Sequence, residues 1–234
     1  MIALSIGATT GYGGKNLRGV ITVSPFLSRR YALVPLFALV LLMPAVTGRA
    51  DTAPDARQFI TKLVNTALQT LAETTSDESK REHDFRHLLR DNFDIPRIAR
   101  FVLGRYWTSA SEQDRRHFVE IYREFIIKSY AAQFAQYRGE TVRVTNSRPE
   151  GSDITVVNSE IVHPSGDPPI RVAWRVHRDG NDYKIVDVDV EGISMLLAQR
   201  EEFSSVIQRS GGSLSGLIQL IERKLQAGEV GGKS

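Results

Sequence analysis

The spacing of apolar residues changes at Gly139, and this change restricts the fold more than any other feature of the sequence. Before Gly139 apolar residues recur every three or four positions, as they do in amphipathic helices. Over residues 140–190 they alternate with polar residues, as they do in strands covered on one face. A block of helices followed by a block of strands predicts an α+β domain rather than alternating βα units.

The longest predicted helix covers residues 111–137 and opens with the capping sequence Ser111-Glu112-Gln113-Asp114. Its apolar side chains form two adjoining rows, a stripe wide enough to be buried on more than one side. A shorter helix is predicted to end at Gly104. The predicted helices besides the longest are 54–72, 85–89, 94–103, 194–209 and 213–226.

Candidate strands lie at 140–147, 153–162, 169–178 and 183–190. In the third strand the apolar side chains alternate with polar ones, so the predicted antiparallel sheet has one apolar and one charged face. We expect the long helix to lie over the apolar face. The predicted domain is therefore a four-stranded sheet with helices on its apolar face. We expect the sheet and the helices to enclose a hydrophobic cavity in an NTF2- or cystatin-like arrangement.

The pairing of the last two strands is argued from charge. If His177 faces Tyr183, Trp174 lies opposite Val186 on the apolar face. A shift of one residue would turn Asp187 and its neighbouring carboxylates onto that face, where unpaired charge is strongly disfavoured.

Residues 1–50 have the three parts of a secretory signal. Arg29 and Arg30 precede an apolar stretch at 31–46, and Gly48 and Ala50 suit cleavage at the 50/51 bond. A membrane span needs about 20 apolar residues, whereas this stretch has 16 and contains two prolines. We expect a periplasmic protein, residues 51–234, exported by the Sec route; the paired arginines match a twin-arginine signal only loosely.

The calculated pI of 9.2 does not indicate nucleic-acid binding. Five basic and no acidic residues lie in residues 1–50, so 25 basic and 27 acidic residues remain and the net charge there is −2. The chain contains no cysteine, which excludes disulfides, thiolate catalysis and cysteine-bound metal clusters.

Motifs for catalysis or metal binding are absent from the sequence: there is no phosphate-binding loop, dinucleotide fingerprint or zinc-protease motif. His83 and His87 lie one helical turn apart, but charged neighbours indicate an exposed face and no metal site. Asp187, Asp189 and Glu191 share one side of a strand. They suit either a cation or acid–base site or, as we prefer, pairing with arginines on the neighbouring strand.

Three arginines, Arg97, Arg100 and Arg105, recur along one helical stretch. They suit either an anionic head group or a solvated helix face.

Several segments in order resemble the MlaC family of toluene-tolerance (Ttg2-type) proteins across residues 55–226. They are Phe93-Asp94-Ile95-Pro96, Phe101–Trp107, Tyr137–Thr141, Pro168–Val172, Tyr183–Val188, Glu191–Met195 and Gly216-Leu217. The form of residues 101–107 also resembles the hopanoid-associated HpnM branch.

The resemblance implies a periplasmic lipid carrier that is not an enzyme and has no cofactor. Such a carrier holds a glycerophospholipid by its acyl chains and maintains outer-membrane lipid asymmetry. Its implied partners are an MlaA-like outer-membrane lipoprotein and an MlaD-like MCE subunit of an inner-membrane ABC transporter. The HpnM alternative implies a hopanoid as the cargo.

We expect the lipid to lie between the sheet and the long helix. The predicted lipid-contacting residues are Val172, Trp174, Val176, Val186 and Val188 on the sheet, with Phe118, Ile121, Phe125, Tyr130 and Phe134 on the helix. One competing hypothesis is an isomerase or dehydratase, which needs a polar catalytic group inside the pocket. Another is a scaffold without ligand, which predicts a filled core.

Overall fold

The computed structural model describes residues 53–74, 78–134, 137–180 and 182–228. The predicted leader and its cleavage site lie outside these residues. Within them the chain forms helices α1 (Ala53–Thr74), α2 (Glu78–Asn92), α3 (Ile95–Leu103), α4 (Arg105–Ser109), α5 (Glu112–Phe134), α6 (Met195–Arg209) and α7 (Leu214–Ala227), and strands β1 (Thr141–Glu150), β2 (Ile154–Val162), β3 (Ile170–Asp179), β4 (Asp182–Val190) and β5 (Ile193–Ser194).

Local capping signals define where the helices begin and end. The Asp94 carboxylate accepts a hydrogen bond of 3.0 Å from the Arg97 amide, which satisfies a free donor at the start of α3. Gly104 ends α3 with a φ of 52°, which favours glycine. Ser111 caps α5 through a 3.0 Å hydrogen bond from the Asp114 amide. Among the helices of the described segments, none combines the length and apolar character that a membrane span requires.

The five strands form one antiparallel sheet in the order β1-β2-β3-β4-β5. The predicted α+β class is confirmed, and the structure adds only the two-residue strand β5 to the four predicted strands.

The predicted register of β3 and β4 was wrong. Trp174 lies opposite Val188, not Val186, and Arg178 instead of His177 faces Tyr183. Two features explain the difference: the hairpin closes tightly from Asp179 to Asp182, and Val186 is an extra residue in β4 that has no partner on β3. The predicted apolar and charged faces are nevertheless observed. Opposite residues 172–175 the register of β4 differs from the predicted one by two residues, and a shift of two keeps each side chain on its predicted face.

Helix α1 covers the apolar face of the sheet. The long helix α5, which was predicted to lie there, does not. The resulting sheet core comprises Ala56, Ile60, Leu63, Val64, Val157, Val176 and Ile185. Each of these residues comes from α1 or from the apolar face of β2, β3 or β4.

Helices α2 to α7 form a second hydrophobic cluster, the helical core. Its long central helix α5 packs mainly against α2, α3 and α7. The buried residues of the helical core are Leu89, Ile95, Ile98, Ala99, Val102, Leu103, Phe118, Ile121, Tyr122, Ile127, Phe203, Ile207, Leu214, Leu217, Ile218 and Ile221.

Candidate functional site

The sheet residues predicted to contact lipid differ in burial. Val176 is 1% exposed and lies inside the sheet core under α1. Trp174 and Val188 face each other on the same side of the sheet, but both are only half-buried. Val172 and Val186 are buried. The apolar face is thus sealed at Val176 and partly open around Trp174 and Val188.

A hydrogen bond fixes the Trp174 indole at this partly open end of the sheet. Its Nε1–H donates to the Ser159 hydroxyl at 2.9 Å. Ser159 is itself buried on the neighbouring strand, where an unpaired hydroxyl would be costly. The bond satisfies both polar groups and leaves the apolar surface of the indole as the feature that the site presents.

Two half-buried valines of β1, Val142 and Val144, also pack against the sheet core. Like Trp174 and Val188, they are half-buried apolar residues of the sheet that pack against the sheet core, and we call these four residues the sheet rim. The two β1 valines were not among the predicted site residues. Their alternation with polar residues in 140–147 was the available signal.

The predicted residues of α5 belong to the other cluster. Phe118, Ile121 and Phe125 lie in or against the helical core. Phe118 stacks on Tyr122 with ring centroids 5.5 Å apart, and both rings meet Phe203 edge-on at 6.0 and 5.9 Å. Such aromatic packing is typical of a filled core. The structure therefore does not bring these side chains together with the sheet rim.

Tyr130 is half-buried further along α5. Burial, together with the negative charge of Glu202, raises the pKa of its phenol. Burial likewise raises the pKa of Tyr122, with smaller contributions from Tyr130 and from Asp187 on β4. The side chain of Phe134 lies outside the described residues.

Phe93 connects the two cores and was missed among the predicted site residues. Its side chain packs against both clusters. The adjoining Asp94 amide donates a 3.0 Å hydrogen bond to the Ile185 carbonyl, so the α2–α3 junction runs beside the edge of β4. The sequence singled out the Phe93-Asp94-Ile95-Pro96 segment only as part of the resemblance to the MlaC family.

The buried carboxylate of Asp187 has a structural role. It accepts hydrogen bonds from the Arg175 guanidinium at 3.1 Å, the Ser194 hydroxyl at 2.7 Å and the Leu196 amide at 3.1 Å. The last two donors lie at the start of α6, where the helix dipole favours negative charge. These contacts hold the carboxylate against Arg175 and the start of α6, away from the sheet core, which removes the main support for the isomerase or dehydratase hypothesis.

Of the other two carboxylates, Glu191 pairs with an arginine of β3 as expected, whereas Asp189 does not lie opposite one. Arg175 donates a second hydrogen bond, of 2.9 Å, to Glu150, which raises the pKa of the guanidinium. Arg171 pairs with Glu191 at 2.9 Å and lowers the pKa of that carboxyl. Asp189 lies opposite Ala173 and not opposite Arg171, because of the register.

The described residues contain no group of three potential metal ligands. The rings of His83 and His87 lie 4.5 Å apart, and Nδ1 of His87 contacts the Arg90 guanidinium at 2.8 Å. An arginine in that position is incompatible with a bound cation.

A small apolar cleft lies between α1 and α2 and is lined mainly by Ala67, Leu71, Phe85 and Leu88. Its volume is about 20 Å³, which is room for a water molecule and not for an acyl chain. This cleft is therefore too small to be the binding site of a large apolar ligand.

This chain is similar to two known proteins, to one in sequence and to the other in fold. The intermembrane phospholipid transport system binding protein MlaC of Haemophilus influenzae is 21% identical over 188 residues, which cover 78% of this chain and 88% of that protein. The structure of a phospholipid-binding protein from Ralstonia solanacearum, solved in complex with a phospholipid, matches with a TM-score of 0.60 and 23% identity. The match covers 72% of this chain and 97% of that one.

The profile of the MlaC protein family matches residues 57–223, which include nearly all of both cores and the sheet rim. MlaC proteins bind and transport phospholipid and are not enzymes, which agrees with the structural role of Asp187. The chain therefore belongs to the MlaC family.

Proposed function

We propose that this protein is a lipid carrier that holds the acyl chains of a glycerophospholipid against the sheet rim. The observation that carries the proposal is the uneven cover of the apolar sheet face, sealed at Val176 and half-covered at Trp174 and Val188. The phospholipid in the Ralstonia protein and the transport role in the name of the Haemophilus protein support the same ligand class.

The energetics of lipid transfer explain why a carrier needs such a surface. A two-chain lipid leaving a bilayer exposes on the order of 30 methylenes at about 0.8 kcal/mol each. Polar contacts with the head group cannot offset this cost, so the protein must offer apolar area that is available in the empty state. A fully sealed core offers none.

We assign the direct contacts with acyl chains to Trp174 and Val188. Val172, Val176 and Val186 on the sheet, and Phe118, Ile121 and Phe125 on α5, are more buried or lie within the helical core. We assign the three valines the role of supporting the sheet rim, and the three α5 residues the role of stabilising the helical core.

The proposed carrier works in the periplasm after removal of residues 1–50. It receives or delivers lipid at an MlaA-like outer-membrane lipoprotein and at an MlaD-like MCE subunit of an inner-membrane ABC transporter. This route is supported by the three-part secretory signal in the sequence and by the intermembrane transport system named for the Haemophilus relative.

Native mass spectrometry of the exported protein, purified without detergent, tests the ligand directly. We expect about one glycerophospholipid per chain, and an intact mass that places the N-terminus near Asp51. A triterpenoid in its place would assign the protein to hopanoid transport of the HpnM type. Repeated recovery of empty protein from lipid-rich extracts would contradict the carrier function and favour the scaffold hypothesis.

A further inference from the structure

An exposed surface of arginines and apolar side chains lies across α3, α4 and the start of α6. Phe101, Ile193 and Leu197 are the exposed large hydrophobic residues among those described, at 37%, 50% and 52%. We call this surface the basic face; its residues are Arg100, Phe101, Arg105, Ile193, Leu197 and Arg200.

Arg200 joins the two helices into one surface. Its guanidinium carbon lies 4.9 Å from the centre of the Phe101 ring. It also lies over Gly104, where a Cβ atom would come within 2.9 Å of Arg200 Nη2. Gly104 therefore has a second role besides ending α3, since a larger residue would displace Arg200.

Among the described residues, the arginines of the basic face lack the carboxylate partners that Arg116, Arg143 and Arg171 have. Within the described residues, Arg100, Arg105 and Arg200 form no ion pair with a carboxylate, and α3 and α4 contain no acidic residue. Arg105 contacts only the neighbouring tyrosine, through its hydroxyl at 2.8 Å and its ring. By contrast, Arg97 on the same helix approaches Asp153 at 3.6 Å.

We propose that the basic face docks the protein onto an anionic membrane surface. Guanidinium groups bind phosphate through paired hydrogen bonds, and an exposed aromatic ring beside them suits the head-group region. Because residues 51–234 carry a net charge of −2, attraction to anionic lipid must come from a local surface. Glu201 and Glu202 of α6 lie at the border of that surface.

A membrane fits this face better than a protein partner does. A standard protein interface buries about 800 Å² on each side around an apolar centre, and three separated apolar side chains do not supply one. They do suit shallow insertion at a lipid interface. The proposal rests on the carrier function for its purpose, since a carrier must meet a membrane or a membrane protein to exchange lipid.

Sedimentation with vesicles tests the proposal, using the exported protein and two kinds of vesicle: phosphatidylcholine alone, and phosphatidylcholine with phosphatidylglycerol added. We expect salt-sensitive binding to the anionic vesicles only. Each arginine is expected to contribute about fivefold to the affinity, so Arg100→Gln/Arg105→Gln/Arg200→Gln weakens binding about a hundredfold and Arg200→Gln alone about fivefold. The control Arg116→Gln/Arg143→Gln/Arg171→Gln removes the same charge from arginines that are ion-paired.

Bound lipid, measured by native mass spectrometry, separates this proposal from the carrier function. The basic-face variants should keep wild-type lipid while they lose vesicle binding. Equal loss in the control variant, binding to both vesicles, or no binding by the wild type would overturn the proposal. Capture of an envelope protein that is lost in the triple variant, without vesicle binding, would assign the face to a protein partner and also overturn it.

Discussion

The helical core and the sheet core differ in how completely their apolar residues are enclosed. Among the described residues, the helical core has sixteen buried members and eleven half-buried ones, whereas the sheet core has seven buried and nine half-buried. Since a packed interior gains most from complete enclosure, the helical core is suited to stabilising the fold. The sheet core keeps part of its apolar surface available, as a lipid carrier requires.

The largest effect is expected in the helical core. Phe118→Ala removes a fully buried ring that contacts Tyr122 and Phe203, and should lower the free energy of unfolding by about 3–5 kcal/mol. Chemical denaturation measures this loss. The protein that remains folded should carry lipid as the wild type does, and a folded but lipid-free variant would contradict the separation of the two cores.

A smaller loss of stability is expected at Asp187. Asp187→Ala leaves the Leu196 amide and the Ser194 hydroxyl without their buried acceptor, which should cost about 1–3 kcal/mol. Asp189→Ala is the matched control on the same side of β4 and should change stability by less than about 0.5 kcal/mol. Equal effects of the two substitutions would show that Asp187 does not cap α6.

At the sheet rim, the effect on lipid should exceed the effect on stability. Val188→Glu places a carboxylate where we propose that acyl chains lie, so lipid occupancy should fall strongly while unfolding changes by about 1 kcal/mol. Val176→Glu, in the sealed part of the same face, should instead prevent folding or destabilise the protein severely. A folded Val188→Glu protein with wild-type lipid occupancy would exclude the rim as the binding surface.

The smallest effect concerns the ion pairs between α2 and α5. Glu82 contacts Lys128 at 2.7 Å and Arg86 at 3.2 Å, and the hydrogen bond from Lys128 lowers the pKa of its carboxyl below 4.5. The resulting stabilisation is complete above that pH and is lost as the pH falls through the folded-state pKa.

Glu82→Gln should therefore cost less than about 1 kcal/mol at neutral pH and make the loss of stability below pH 4.5 less steep. Denaturation curves over this pH range provide the measurement. Glu120→Gln, which removes an exposed carboxylate from α5, is the control. An unchanged pH dependence in the Glu82 variant would mean that the Glu82–Lys128 pair does not couple α2 to α5.

The features predicted correctly from the sequence depend on local signals. The end of α3 follows from Gly104, the start of α5 from Ser111, and the strands from alternation. The prediction of the register failed at Val186, where β4 has a bulge. Because of the bulge, the apolar residues on both sides of Val186 face the core although strict alternation is interrupted. The alternating pattern alone does not predict how many residues the turn and the bulge contain.

The identity of the helix that covers the sheet was predicted wrongly for a different reason. The apolar stripes of α1 and α5 are both typical of a helix that packs on a sheet, and only the tertiary structure shows that α1 takes this place. The burial of Asp187 likewise depends on Ser194 and Leu196 returning to β4 through the β5 turn. Sequence spacing supplied the correct face for Asp187 and an arginine of β3 as its partner, but not the two donors at the start of α6.

The two tryptophans of the chain lie one against each core, which permits a direct test of the central claim. Trp107→Phe leaves Trp174 at the sheet rim as the only tryptophan, and Trp174→Phe leaves Trp107 against the helical core. Both proteins are loaded with a phospholipid that carries bromine on its acyl chains, which quenches nearby indole fluorescence. The account predicts strong quenching of Trp174 and little quenching of Trp107; equal quenching, or quenching of Trp107 alone, would contradict it.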